Sequence, residues 1–101
     1  MMNPVKMLGD AIRRRMRAWR AWSEHIDRIV ESARDVLRNE YQARPTERAR
    51  LSRDPPAPLR NMPRPGPAWF LTFGRTDARS IYIVEVDDAT EQVTRVWWPR
   101  R

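Results

Sequence analysis

Between Pro4 and Pro45 the chain carries no proline and a single glycine, Gly9. Over that stretch apolar side chains recur at Ile12, Met16, Trp19, Trp22, Ile26, Ile29, Val30, Ala33, Leu37 and Tyr41. Steps of three and four place them on one stripe of a helix with about 3.6 residues per turn. Asn3 followed by Pro4 offers a cap with proline at the first helical position. Residues 4–42 therefore read as helical. One straight helix over residues 10–42 is roughly 50 Å long at about 1.5 Å per residue. A compact domain of this size has a radius of gyration of only about 13 Å. The helix thus either breaks around Ala21 to Ser23, with Ser23 capping a second helix, or projects beyond the rest of the molecule.

Seven of the nine prolines fall between residues 45 and 67. Proline fixes its own φ and biases the preceding residue away from helix, so this stretch is an extended connector. A short helix fits only its beginning, from Thr46 to about Arg53. Beyond it, residues 68–98 are aromatic and β-branched. They predict a three-stranded antiparallel meander: Trp69 to Phe73, Ser80 to Val86 and Gln92 to Trp98, with turns at Gly74 to Ala78 and Asp87 to Thr90. That second turn sets Val84 against Val93 and Tyr82 against Arg95. It puts Tyr82, Val84, Val86, Val93 and Trp97 on one face and Ile81, Ile83, Val96 and Trp98 on the other. One face lies on the helical stripe; the other is covered by a partner or is the working surface. The expectation is a single α+β domain over residues 1–101: an N-terminal long helix or helical hairpin packed on a three-stranded antiparallel β-meander.

Several chemistries are excluded by what the chain lacks. There is no cysteine, so there is no disulfide, thiolate zinc site or cysteine nucleophile, which fits a cytoplasmic setting. His25 is the only histidine, and with no cysteine a metal site is not expected. It reads as a surface residue near a helix N-terminus. Glu85 and Asp87, two apart on a strand, read as solvated turn residues. The three glycines form no phosphate-binding loop, and no cofactor is expected. No apolar run approaches the ~18 residues of a membrane span, and no apolar segment follows the basic N-terminal stretch as in a secretory signal.

Charge points to the partner. The chain has 20 basic and 13 acidic residues and a net charge of +7. All the basic residues but Lys6 are arginine, which binds phosphate bidentately and stacks on bases; a genome that favours arginine codons gives the same ratio. Residues 1–23 hold six basic side chains and one acidic, and residues 48–75 do the same. In the first cluster Arg13, Arg14, Arg15, Arg17 and Arg20 surround Trp19 and Trp22, as in helices that dock on acidic partners or membrane surfaces. Here Arg13, Arg17, Trp19 and Trp22 are the candidate partner-binding residues. In the second, Arg60, Arg64 and Arg75 are candidates for holding nucleic acid. RNA cleavage needs groups that move protons and hold phosphate charge, which Arg and Tyr partly supply. Arg79, Tyr82, Arg95 and Arg100, in or beside the meander, are the candidate catalytic set; a cation–π pair of Tyr82 with Arg95 that only stabilises the sheet is the simpler account.

The order Leu51-Ser-Arg-Asp54-Pro55, Leu59, Gly74-Arg75, Arg79-Ser-Ile-Tyr82, Val86-Asp87-Asp88 and Val93-Thr-Arg95-Val96 resembles the C-terminal two thirds of the RelE/ParE toxin superfamily of bacterial toxin–antitoxin systems. The resemblance covers residues 45–101. It implies a helical hairpin on an antiparallel sheet and an Arg-x-x-Tyr motif at Arg79 and Tyr82. It also implies action on mRNA at the ribosome or on DNA gyrase, with an acidic antitoxin wrapped around the basic toxin. The chain departs from that pattern in having no strand before its first helix. It also carries Trp97-Trp98-Pro99-Arg100 where the family ends in His-Arg. The expected function is therefore a RelE-like toxin whose partners are an acidic protein and RNA. The alternatives are a non-enzymatic binding module or inhibitor that docks through its basic Trp-containing helix, and a basic nucleic-acid binder without catalysis.

Overall fold

The computed structural model describes residues 4–43, 48–74 and 81–99, with backbone alone for residues 4–8 and 10. One helix, α1 (Pro4–Glu40), is followed by β1 (Arg50–Ser52), a single 3-10 turn (Ala57–Leu59), β2 (Ala68–Phe73), β3 (Tyr82–Asp87) and β4 (Val93–Trp97). The four strands form one antiparallel sheet in sequence order.

The helix does not break. Ser23 lies inside α1 rather than capping a second helix, because residues 21–23 contain neither proline nor glycine and the stripe continues across them. Thirty-seven residues at about 1.5 Å each give ~55 Å. The radius of gyration is accordingly 17.9 Å, well above the roughly 13 Å of a compact domain. Past Glu40 the chain turns through Gln42 at φ 51°, and the Ala43 N–H donates back to the Leu37 carbonyl at 2.9 Å. That bond satisfies one of the carbonyls the last turn leaves open.

The sheet has four strands, not three. Arg50, Leu51 and Ser52 pair with Thr72, Leu71 and Phe70 where a short helix was expected up to Arg53. Residues 44–47, the start of that expected helix, lie outside the described part. All three β1 residues are exposed, so no apolar alternation marks the strand; it forms because the outer edge of β2 offers a hydrogen-bonding template.

The register of β3 and β4 also differs. Asp87 pairs with Gln92 through a 2.9 Å backbone bond, which leaves Asp88 to Glu91 as the loop, with Glu91 at φ 59°. Val86 then faces Val93, Glu85 faces Arg95, Val84 faces Val96 and Ile83 faces Trp97, with a bulge at Glu85 and Val86. Thr94 is the extra residue, and its hydroxyl donates to the Glu85 carboxylate at 2.8 Å. The bulge flips the far half of β4. Val96 packs with the helix-side core and Trp98 sits edge-on to Tyr41 at 5.0 Å, whereas Trp97 packs on the opposite face.

Both faces of the sheet are covered. Ile29, Ala33 and Leu37 of α1 pack on Leu71, Phe73, Val84 and Val86. On the other side the proline-rich connector folds back and inserts Leu59, fully buried, among Ala68, Phe70 and Ile83. The second face is thus covered by the chain's own connector. Covering on both faces explains why β3 is buried from Ile83 to Asp87.

Candidate functional site

Three groups of side chains stand out: a clamp between α1 and the β3–β4 loop, a buried carboxylate under the connector, and the free half of α1.

The clamp centres on His25. Its Nδ1 is 2.8 Å from Glu91 Oε2, and its Nε2 is 2.8 Å from Asp88 Oδ1. An ionised carboxylate only accepts, so the ring donates to both at once only as the imidazolium. The hydrogen bond to Asp88, then that to Glu91, raises the His25 pKa above its ordinary 6.5. The bond from His25 likewise holds Asp88 and Glu91 below their usual values, helped by Trp69 at Asp88 and by Arg28 at Glu91. Trp69 Nε1 donates to Asp88 Oδ1 at 2.8 Å, and the Arg28 Nε donates to Glu91 at 2.8 Å. Arg53 lies over the Trp69 ring at 4.3 Å with its guanidinium 3.7 Å from Asp88. His25 is therefore a structural bridge and not the surface residue its sequence neighbours predict. Its partners lie more than sixty positions away, and nothing local could have revealed them.

The buried carboxylate is Glu85, 1% exposed. Arg95 Nη1 reaches it at 3.2 Å and Arg64 Nε at 3.5 Å. The same arginines hold the connector: Arg64 donates to the Leu59 carbonyl at 2.7 Å and Arg95 to the Pro63 carbonyl at 3.0 Å. Arg64 also lies 5.1 Å from the centre of the Phe70 ring. Asp87 is buried too, and its Oδ2 caps the turn by accepting from the Thr90 N–H and hydroxyl. Neither acid is the solvated turn residue expected, because the connector covers the face they point to.

Tyr82 and Arg95 are not neighbours. Tyr82 pairs with Phe73 and packs against the helix-side core; Arg95 pairs with Glu85 on the connector side. The turn, shifted to Asp88–Glu91, moves Arg95 along β3, and the one-residue bulge puts it on the other face. Arg75, Arg79 and Arg100 lie outside the described residues. Arg60 is exposed just after the 3-10 turn, away from the Glu85 cluster that engages Arg64. Among the described residues no group of three His, Cys, Asp or Glu side chains is arranged to hold a metal ion, and no helix is long and apolar enough to cross a membrane.

The free half of α1 is where Arg13, Arg17, Trp19 and Trp22 come together. Ile12, Met16, Trp19 and Trp22 are 50%, 53%, 66% and 48% exposed. Residues 11–22 include five arginines and no acid, and every one of them is exposed. Trp19 and Trp22 stack on each other, with ring centres 5.6 Å apart. Burying such a side chain contributes ~1.5–3 kcal/mol, so four of them are a substantial drive toward association. Compared with known proteins, the chain matches no family model, no curated protein and no solved structure.

Proposed function

We propose that the chain is a non-enzymatic docking module that binds another macromolecule through residues 11–22 of α1. One observation carries the reading: a stripe of large apolar side chains, edged by arginine, runs along a fully exposed half-helix that its own sheet does not reach. A contiguous exposed apolar surface on a monomer marks an interaction site. Exposed tryptophans are the side chains that most often dominate binding energy. A ribonuclease reading sets Arg79 and Arg95 at one phosphate-sized site with Tyr82 beside them. Arg79 lies outside the described residues, while Tyr82 and Arg95 lie on opposite faces of the sheet and Arg95 is engaged by Glu85. The docking reading therefore has the stronger support.

A photo-crosslinking amino acid at Met16 tests it in cells. The expected product is one discrete adduct, lost when the label is moved to Arg60. Labelling at Arg60 alone would defeat the reading, as would RNA cleavage by the purified protein that depends on Tyr82 and Arg95.

A further inference from the structure

We infer that the occupant of this half-helix is an acidic amphipathic helix of another protein, seated in the inside corner between α1 and the β3–β4 loop. The inference rests on the docking reading above.

The direction of the stripe comes first. Ile12, Trp19, Ile26 and Ala33 follow one another at intervals of seven, and Trp22 is seven before Ile29. Seven residues are two turns less about 20°, so Ile12 points within about 60° of Ala33. Ala33 and Ile29 face the sheet. Ile12, Trp19 and Trp22 therefore face the side on which the sheet lies, with Met16 about 100° round the helix from Ala33. Packed layers are spaced roughly 10 Å apart, while a helix surface lies about 5–6 Å from its own axis. A flat surface that touched Ile12 to Trp22 would have to pass through the sheet. An interfacial helix needs its apolar face turned toward lipid with the rest of the protein behind it, and here the protein is in front. A bilayer does not fit; a rod laid in the corner does.

Charge removes a second copy of the chain. Two such half-helices face to face would bring ten arginines together with no acid among residues 11–22. The surface relief then selects the rod. Ile12, Arg15, Met16 and Trp19 enclose a shallow depression, together with Arg20. Those four occupy positions i, i+3, i+4 and i+7, the outline of the hole that receives one side chain of a facing helix. Beside it, Arg13, Met16, Arg17 and Arg20 enclose a second depression with the same spacing. Every exposed helix has such holes; their lining sets what enters. The first accepts an apolar knob. The second, lined by three guanidinium groups, accepts a carboxylate.

Defined probes test this. One designed helical peptide carries leucine at heptad positions a and d with glutamate at e and g; its counterpart carries lysine at e and g. The glutamate peptide should form a one-to-one complex that weakens with salt and shifts the emission of Trp19 and Trp22; the lysine peptide should not. Trp19→Ala with Trp22→Ala should weaken the complex by roughly thirtyfold or more, the scale of a lost hot spot. Arg13→Glu with Arg20→Glu should reverse the preference toward the lysine peptide. Amide exchange over β2 to β4 checks that each variant is folded. The inference is overturned if neither peptide binds or both bind equally. It is equally overturned if Trp-dependent association appears instead with phosphatidylglycerol vesicles, with polyuridylate RNA, or between copies in sedimentation equilibrium. In those last cases the docking reading survives and only the partner is wrong. If the paired tryptophan change alters none of these associations, the docking reading itself fails.

Discussion

The two halves of α1 share one apolar face and differ in what covers it. From Ile26 to Tyr41 the face lies on the sheet, and Ile29, Ala33 and Leu37 are completely buried. From Ile12 to Trp22 the same face is open to water. The exposed half also has the larger apolar side chains, two tryptophans and a methionine, where the docked half uses alanine at its centre. A small residue lets the helix approach its own sheet closely, whereas the bulky residues of the other half stand exposed. Periodicity thus reports which face is apolar, while side-chain size and flanking charge report whether the chain itself supplies the cover.

The sharpest way to break this comparison is to truncate one residue in each half. Leu37→Ala should lose about 2–5 kcal/mol of unfolding free energy, because it opens a cavity in a closed core. Trp19→Ala should change stability by no more than about 0.5 kcal/mol, because Trp19 is exposed and its stacking partner Trp22 lies on the same helix. Urea denaturation of both variants measures the contrast; similar losses would mean that the free half is held by the fold after all.

Amide exchange sharpens the same contrast along the helix. Residues 29–37 should approach the protection of the global unfolding reaction. Residues 11–20 should exchange at least about a hundredfold faster, as expected for a helix without tertiary contacts. The step should fall near His25, where the clamp fixes the last point of attachment.

The clamp itself predicts a smaller, pH-dependent effect. The folded protein holds the His25 proton more tightly than the unfolded chain does. Its contribution is therefore complete below pH 6.5 and is lost as pH rises through the elevated value. Asp88 and Glu91 are depressed, so theirs is present above pH 3.8 and 4.5 respectively and is lost as pH falls through the lowered values. All three contributions coexist between pH 4.5 and 6.5. The denaturation midpoint should be highest there, and His25→Gln should flatten the decline on the alkaline side. The smallest effect belongs to Arg14→Ala on the far side of the free half. It should move stability by less than about 0.5 kcal/mol.

Much of the architecture was legible in residue order. The helical stripe, the position of the connector and all three strands of the meander, within a residue or two of their bounds, follow from local pattern. What escaped was set by distant partners. β1 has three exposed residues and exists by pairing with β2. The bulge depends on Thr94 reaching Glu85, and one extra residue there reverses the far half of β4. That reversal puts Tyr82 and Arg95 on opposite faces, and together with the shifted turn it moves Arg95 three positions along β3, from opposite Tyr82 to opposite Glu85. Leu59 gave no sign from its proline-rich surroundings that it would close the second face. The tryptophans and arginines of the free half were legible because they lie exposed, where local pattern alone places them.

The sequential order of the strands carries a kinetic consequence. Each of β1 to β4 pairs with its neighbour in the chain, and the connector that plugs the second face lies between two strands that are themselves paired. The connections that have to close for the sheet to form are local, the longest being residues 53–67 between β1 and β2. The His25 contacts, by contrast, span more than sixty positions. Short-range pairing is the property that speeds folding. The meander is therefore the expected nucleus, with α1 laid down afterwards onto a sheet that already exists. Mutations at Val84 should slow folding, whereas those at Ile29 and Leu37 should act mainly by hastening unfolding.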